Sequence, residues 1–167
     1  FSLGNLFFAK PMASFDMSIP TIFLKPSSQT WLTVSPAPHP VIIINSDFGE
    51  DVILDSRKKL NYDGTFDLIK AIVNTLKPEF GFEIYLYNDL LPGRGLGSSA
   101  SVAILITKLL SDLMELKYDD YKIAEIAYKS EVEELGIKGG WQDQYASVTG
   151  GFNFMEFSAE KTIIYPL

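Results

Sequence analysis

The sequence predicts a single domain in which strands and helices are mixed, and three observations indicate this. The chain has 167 residues, a size typical of one domain, and 47% of them are hydrophobic, which is enough for a buried core. Strand-like runs and segments with helical periodicity alternate along the chain. The longest helical pattern starts directly after a glycine-rich segment that itself follows a strand-like run, so strand, loop and helix are consecutive.

The first half of the chain is mainly strand-like. Three prolines, at 36, 38 and 40, exclude a helix between the second and third strands. The third and fourth strands form a predicted hairpin around the acidic turn 47–50. The predicted strands are 21–24, 30–34, 41–45, 51–54 and 82–87.

Helices dominate the second half. A helix is predicted from Thr65, after the capping turn Asp63-Gly64, and it ends before Pro78. The later predicted helices span 98–116, from the turn 118–120 to about Gly136, and 142–148; strands at 152–157 and 162–165 form a closing hairpin.

The segment 91–101, Leu-Pro-Gly-Arg-Gly-Leu-Gly-Ser-Ser-Ala-Ser, carries the clearest chemical signal. Glycines at alternate positions allow the backbone to curl with its N–H groups inward, and a helix N-terminus adds further free N–H groups. Such an arrangement binds phosphate. No lysine follows the last glycine, which excludes a Walker-type loop, and the glycine spacing excludes a dinucleotide fingerprint. From spacing alone, a phosphate site and a structural helix cap both stay open.

Glu131 is out of place on its predicted helix. At 100° per residue from Ile123, its side chain falls in the middle of the apolar face formed by Ile123, Ala124 and Ala127, whereas Glu125 falls on the opposite, solvent face. An unpaired carboxylate in a core costs several kcal/mol. Glu131 therefore needs a cation, hydrogen-bond donors or a metal ion.

Composition excludes several functions. The net charge of −7 makes nucleic acid an improbable partner, because phosphate backbones are bound by basic surfaces. The absence of cysteine excludes disulfides and thiol chemistry, and a lone histidine, His39 among prolines, argues against zinc. No apolar stretch reaches membrane-spanning length and no secretion signal is recognisable, so we expect no membrane partner and a cytoplasmic location.

The glycine-rich segment resembles the ATP-binding motif of the GHMP kinases, with Pro92 followed by Gly95-Leu96-Gly97-Ser98-Ser99-Ala100. Two later segments are similar to the corresponding segments of the GHMP kinases that phosphorylate D-glycero-D-manno-heptose 7-phosphate. They are residues 135–145, which contain Gly139-Gly140-Trp141-Gln142-Asp143-Gln144, and the run 150–157. The resemblance extends from about residue 82 to 157. It implies an α+β fold, a ribosomal-protein-S5-domain-2-like lobe whose mixed or antiparallel sheet is backed by helices.

The resemblance also implies roles for particular residues. Asp143 would be the base, or the orienting group, for the attacking sugar hydroxyl. Without the resemblance, a role at the N-terminus of a helix is the favoured explanation of this residue. Ser99 and Glu131 would hold Mg²⁺, and Glu131 precedes Asp143 by the interval of twelve residues found in galactokinase-type relatives. Residues that would bind ATP are Pro92, Gly93, Arg94, Gly95, Leu96, Gly97, Ser98, Ser99 and Ala100.

The implied function is ATP-dependent phosphorylation of the anomeric hydroxyl of a sugar or sugar phosphate. Two alternatives stay open: another GHMP kinase, of the galactose, fucose or mevalonate type, and a catalytically silent nucleotide- or sugar-binding fragment. Residues 1–167 would form the N-terminal lobe without the C-terminal one, and homodimerisation is an open possibility. The family's N-terminal sugar-binding turn is not recognisable in residues 1–20, where Gly4-Asn5 is the nearest match.

Overall fold

The computed structural model describes residues 22–24, 30–37, 39, 41–46, 51–55, 57–88, 97–158 and 161–167. Several predictions lie outside the described residues. They are the interpretation of residues 1–20, the turn 47–50, and Pro92, Gly93, Arg94, Gly95 and Leu96 of the glycine-rich segment.

A mixed five-stranded sheet forms one layer of the molecule. Its strands are β1 (Ile22–Leu24), β2 (Thr30–Ala37), β3 (Val41–Ser46), β4 (Asp51–Asp55) and β5 (Gly81–Asn88), in the order β1-β2-β5-β3-β4. The predicted β3–β4 hairpin is confirmed, with Ile43 opposite Ile53. Strand β5 runs parallel to β3 and antiparallel to β2, so the last strand of the sheet in sequence lies at its centre.

Gly81 is required where β5 begins. A Cβ atom at this position would overlap the backbone carbonyl oxygen of His39. His39 itself is exposed. The central strand can therefore start only with a residue that lacks a side chain.

Helices pack on the sheet and on one another. They are α1 (Asp67–Leu76), α2 (Ser98–Leu113), α3 (Asp120–Tyr128), a π-helix (Lys129–Glu134) that continues α3, and α4 (Gln142–Thr149). Alternate residues of β5, Phe82, Ile84 and Leu86, are buried against this layer. Alternation along the strand and helical periodicity in α1 and α2 thus produce one apolar core.

Three predicted helix boundaries are wrong. Helix α1 begins at Asp67 rather than Thr65, because the Asp67 carboxylate accepts hydrogen bonds from the amides of Asp63 and Gly64 and holds them in a turn. Helix α2 ends at Leu113 rather than Leu116. The helix predicted from 118–120 to Gly136 is α-helical only from Asp120 to Tyr128, after an N-cap at Asp119, and ends as the π-helix.

The closing hairpin consists of β6 (Asn153–Phe157) and β7 (Thr162–Pro166). Met155 and Ile164 pair across it and pack against the core, while Phe154 and Tyr165 pair on the opposite, exposed face. The predicted closing hairpin is thus present. In the described part of the chain, no helix is long and apolar enough to cross a membrane.

Candidate active site

The N-terminus of α2 provides the first part of the site. Gly97 precedes the helix with φ = 67° and ψ = 21°, a left-handed conformation that glycine adopts without strain. It offers no side chain to cap the helix, so the first-turn amides of Ser98, Ser99 and Ala100 are left for other acceptors. Ser98 is half-buried, Ser99 is exposed and Ala100 is buried. Ser99 is thus the exposed residue of this first turn.

Asp143 lies next to this helix end. It is exposed in the first turn of α4, and a Cβ atom built on Gly97 would be 3.9 Å from the Asp143 Cγ. Its place in a first turn agrees with the capping alternative, because a carboxylate there is stabilised by the helix dipole. Its proximity to Gly97 agrees with the catalytic prediction. The fold thus brings together two motifs that are far apart in sequence.

Glu131 is buried, as its place on the helical face predicted. Its side chain is only 6% exposed, and its Oε2 accepts a hydrogen bond of 2.7 Å from Nε2 of Gln144. Among the described residues, no lysine, arginine or histidine lies within ion-pair distance of this carboxylate. Its one described donor is therefore a neutral amide, and no described cation compensates its negative charge.

Gln144 is the residue that sequence reasoning missed. It is 3% exposed, and its Oε1 is buried with no hydrogen-bond partner among the described residues. An orphaned buried acceptor costs about 1–3 kcal/mol. The sequence shows only a second glutamine beside Asp143, and no local pattern distinguishes it from Gln142, which is exposed. Only burial separates the two.

Aromatic packing holds α4, the helix that carries Asp143 and Gln144, in place. Trp141, directly before α4, stacks on Tyr128 at a centroid distance of 3.7 Å, and Tyr128 directly precedes the π-helix. Tyr145 packs edge-on against Tyr121 of α3 at 5.7 Å, and its burial raises the pKa of its phenol. Trp141 therefore has a packing role.

The π-helix has a direct effect on the site. Its wider turn replaces the regular α-helical continuation between Tyr128 and Leu135, the segment that contains Glu131. π-Helical turns are rare and are found mostly at functional sites. The peptide N–H of Ile137 donates to the carbonyl oxygen of Glu131, at 3.2 Å, and closes the segment. A regular helix was assumed in the prediction, and the face on which Glu131 lies was correct nevertheless.

These residues fit a nucleotide and a hard divalent cation. Amides without helical acceptors suit phosphate oxygens, and a buried carboxylate without a partner cation suits Mg²⁺. No group of three or more histidine, cysteine, aspartate or glutamate side chains that could enclose a metal occurs in the described ranges. A cation here would therefore take most of its ligands from phosphate and water, which is how Mg²⁺ usually binds.

Four further polar residues are close to these segments in sequence. Lys138 is exposed in the loop between the π-helix and α4. Arg94 and Asp89 lie outside the described residues. Asn88 is the last residue of β5, at the edge of the glycine-rich segment.

Two characterised families of sugar kinase contain proteins that are similar in sequence to this chain. The chain is 40% identical over 115 residues to D-glycero-alpha-D-manno-heptose 7-phosphate kinase of Campylobacter jejuni, an alignment that covers 66% of this chain and 34% of that protein. It is 32% identical over 98 residues to a galactokinase of Clostridium acetobutylicum, covering 56% of this chain and 25% of the relative. The chain thus spans about a third or less of the length of these two relatives.

A solved structure shares the fold. The crystal structure of a D-glycero-D-manno-heptose 1-phosphate kinase from Bacteroides thetaiotaomicron superposes with a TM-score of 0.76 at 32% identity, over 91% of this chain and 52% of that one. The expected α+β fold of the GHMP lobe is thereby confirmed. The family model for the GHMP kinases N terminal domain matches residues 67–151, which are 85 of the 167 residues. The chain therefore belongs to the GHMP kinase family, and the matched region is the family's N-terminal domain.

Proposed function

We propose that the protein transfers the γ-phosphate of ATP to the anomeric hydroxyl of a sugar or sugar phosphate, with D-glycero-D-manno-heptose 7-phosphate as the first candidate. The observation that carries the proposal is the proximity of Asp143 to Gly97, which puts a carboxylate beside the N-terminal amides of α2. The 40% identity to a heptose 7-phosphate kinase supports the choice of sugar. Residues 1–167 are proposed to be the N-terminal lobe of such an enzyme.

Phosphoryl transfer requires positioning and neutralisation of charge more than covalent chemistry. The amides of Ser98, Ser99 and Ala100 would bind phosphate oxygens together with the residues before Gly97. Glu131 and the Ser99 hydroxyl would hold Mg²⁺, which when bound neutralises the charge of the phosphates. The uncompensated charge of buried Glu131 supports this role.

Asp143 would orient the attacking hydroxyl and accept its proton. A carboxylate is suited to this role because it is ionised at neutral pH and accepts hydrogen bonds only. Its exposed position leaves it accessible to a substrate. A base placed in this way contributes about 10²–10⁴-fold to the rate.

The test is transfer from ATP to a panel of acceptors: D-glycero-D-manno-heptose 7-phosphate, galactose, fucose and mevalonate. We expect turnover of the heptose phosphate, and a loss of about 10²–10⁴-fold in Asp143→Asn with nucleotide affinity retained. Asp120→Asn is the matched control, because Asp120 is also exposed in the first turn of a helix. Turnover of another sugar would replace the substrate, and unchanged transfer in Asp143→Asn would remove the role of that residue.

A galactokinase activity is the second candidate. The identity of 32% to the Clostridium acetobutylicum galactokinase supports it. The same panel separates the two, since a galactokinase phosphorylates galactose in preference to the heptose phosphate. Nucleotide binding without transfer to any acceptor would support the silent binding fragment instead.

A further inference from the structure

Gln144 connects the two carboxylates of the candidate site. Its side chain leaves α4 toward the π-helix and donates through Nε2 to Oε2 of Glu131, at 2.7 Å, in a buried position. Asp143, the residue before it, faces Gly97 at the N-terminus of α2. The side chains of successive helical residues point about 100° apart, so these two neighbours on α4 lie close to two different elements, α2 and the π-helix.

The orientation of this amide is fixed by the chemistry of its partner. An ionised carboxylate accepts hydrogen bonds and cannot donate them, so the NH₂ group of Gln144 must face Glu131. The amide oxygen is then directed into a buried region where it has no partner among the described residues. A residue chosen for stability alone would not leave a buried acceptor unpaired, and such exceptions concentrate at functional sites.

The rest of α4 makes this connection rigid. Trp141 is stacked on Tyr128, and Ser147 lies with its Oγ 3.4 Å from that of Ser101 on α2. The helix is therefore held at its beginning by the segment before Glu131 and further along by α2. A bond from α4 to Glu131 consequently fixes Glu131 relative to Asp143 and Gly97.

We propose that Gln144 is a positioning residue that holds Glu131 at a set position relative to Asp143 and thereby sets the affinity of the site for a divalent cation. This inference rests on the proposed function, because Glu131 matters as a cation ligand only if the site binds a metal–nucleotide complex. Gln144 touches neither the nucleotide nor the sugar in this proposal. It acts through Glu131.

The first measurement is the affinity for a non-hydrolysable ATP analogue as a function of Mg²⁺ concentration, determined by calorimetry on the purified protein. Gln144→Met keeps the length of the side chain and removes the donor. We expect the Mg²⁺ concentration that gives half of the maximal increase in analogue affinity to rise about tenfold or more. This is the usual result of removing a group that orients a metal ligand. Gln142→Met, the same substitution on the exposed side of α4, is expected to leave it unchanged.

A double-mutant cycle separates positioning from general structural damage. In a Glu131→Gln background, Gln144→Met is expected to change the Mg²⁺ dependence by less than about twofold, since there is no ligand left to position. A structural role would produce the same loss in both backgrounds. Thermal unfolding of all four proteins is recorded in parallel, because it responds to packing and not to the position of a metal ligand.

Two results overturn the proposal on Gln144. One is a Mg²⁺ dependence in Gln144→Met equal to that of Gln142→Met; the other is an equal loss in the presence and absence of the Glu131 carboxylate. If Gln144→Met does not fold, Gln144→Asn provides the same test, because it keeps the amide but withdraws it by one methylene. A wild-type protein without Mg²⁺-dependent nucleotide binding would overturn both the proposed function and this inference. The two results above, obtained with a wild-type protein that shows such binding, would overturn only the inference on Gln144.

Discussion

Two buried ionisable residues, Lys70 and Glu131, differ in how their charges are compensated by neighbouring side chains. Lys70 of α1 is 1% exposed and its Nζ lies 2.6 Å from Oδ1 of Asp63 and 3.7 Å from Oδ1 of Asp67. Glu131 is 6% exposed and has the amide of Gln144 as its described partner. Within the described residues, the positive charge of Lys70 has two carboxylate partners, and the negative charge of Glu131 has no cationic partner.

We interpret this difference as that between a structural charge, Lys70, and a proposed functional one, Glu131. Burying a charge costs several kcal/mol unless opposite charge and hydrogen bonds accompany it. Lys70 meets this condition and at the same time holds the turn before α1, together with Asn74, which bonds to the N–H and carbonyl of Leu60. Glu131 does not meet it. A carboxylate left in this state is suited to receive a cation from outside the chain.

Among the substitutions that test this comparison of Lys70 with Glu131, Glu131→Gln is expected to have the largest effect. This change removes the charge but keeps an oxygen that can accept from Gln144. Phosphoryl transfer should fall by about 10²–10³-fold, as when one preorganised electrostatic group is removed from a site. The free energy of unfolding should stay the same or increase, because a buried uncompensated charge disappears. Steady-state kinetics and thermal unfolding measure the two effects.

Glu133→Gln is the control for this substitution, since Glu133 is exposed in the same π-helix. It should change neither quantity. A Glu131→Gln protein that is clearly less stable yet fully active would reverse the comparison, because Glu131 would then be the structural charge.

The second largest effect is expected on thermal stability when Lys70 loses its carboxylate partners. In the Asp63→Asn, Asp67→Asn variant the buried ammonium loses both carboxylates, and we expect the unfolding temperature to fall by several degrees at pH 7 with kinetics unchanged. The hydrogen bond from Lys70 holds the pKa of Asp63 below its ordinary value of 3.8. The stabilisation is therefore present above that pH and is lost as the pH falls through the lowered pKa. The difference between wild type and variant should shrink in acid.

A surface pair gives the reference for that measurement. Asp112 and Lys108 form an ion pair of 2.9 Å on α2, with both side chains partly exposed. Asp112→Asn should change the free energy of unfolding by less than about 1 kcal/mol. An equal loss in both variants would show that the burial of Lys70 has no energetic consequence.

A smaller effect is expected from Gly97→Ala. The left-handed backbone at this position costs an L-residue about 1–2 kcal/mol, and the new methyl group would lie in ordinary contact with Asp143. The free energy of unfolding should fall by about that amount, and nucleotide affinity should weaken because strain is relieved by moving the first turn of α2. Gly140→Ala, which meets no atom within 4 Å, is the control. Equal behaviour of the two variants would contradict the special geometry of Gly97.

The smallest effect concerns Glu125, on the solvent side of α3. Hydrogen bonds from Lys129 and Lys122 hold the pKa of its carboxyl below the ordinary value of 4.5. Glu125→Gln should reduce the free energy of unfolding by about 0.3–0.5 kcal/mol at pH 7. Because the folded-state pKa is lowered, this difference exists above pH 4.5 and disappears as the pH falls below it. Denaturant titrations at pH 7 and pH 3 test it, and a difference that grows in acid would contradict the assignment.

The candidate site was partly visible in the sequence. The glycine-rich segment identified the N-terminus of α2, and the helical face of Glu131 predicted its burial, because both signals depend on neighbours a few residues apart. The burial of Gln144 and its hydrogen bond to Glu131 were not visible, since they depend on which side of α4 meets the π-helix. No local pattern records that contact.

The sequence by itself determined the order of strands and helices, the faces that are buried, and the family. It did so because the periods of strand and helix are set by local backbone geometry, and because the ATP-binding motif is contiguous. The tertiary structure alone decided that β5 enters between β2 and β3, that Asp143 reaches Gly97, and that Gln144 holds Glu131. Such contacts join distant segments, and they follow from how whole faces pack against one another rather than from any stretch of residues.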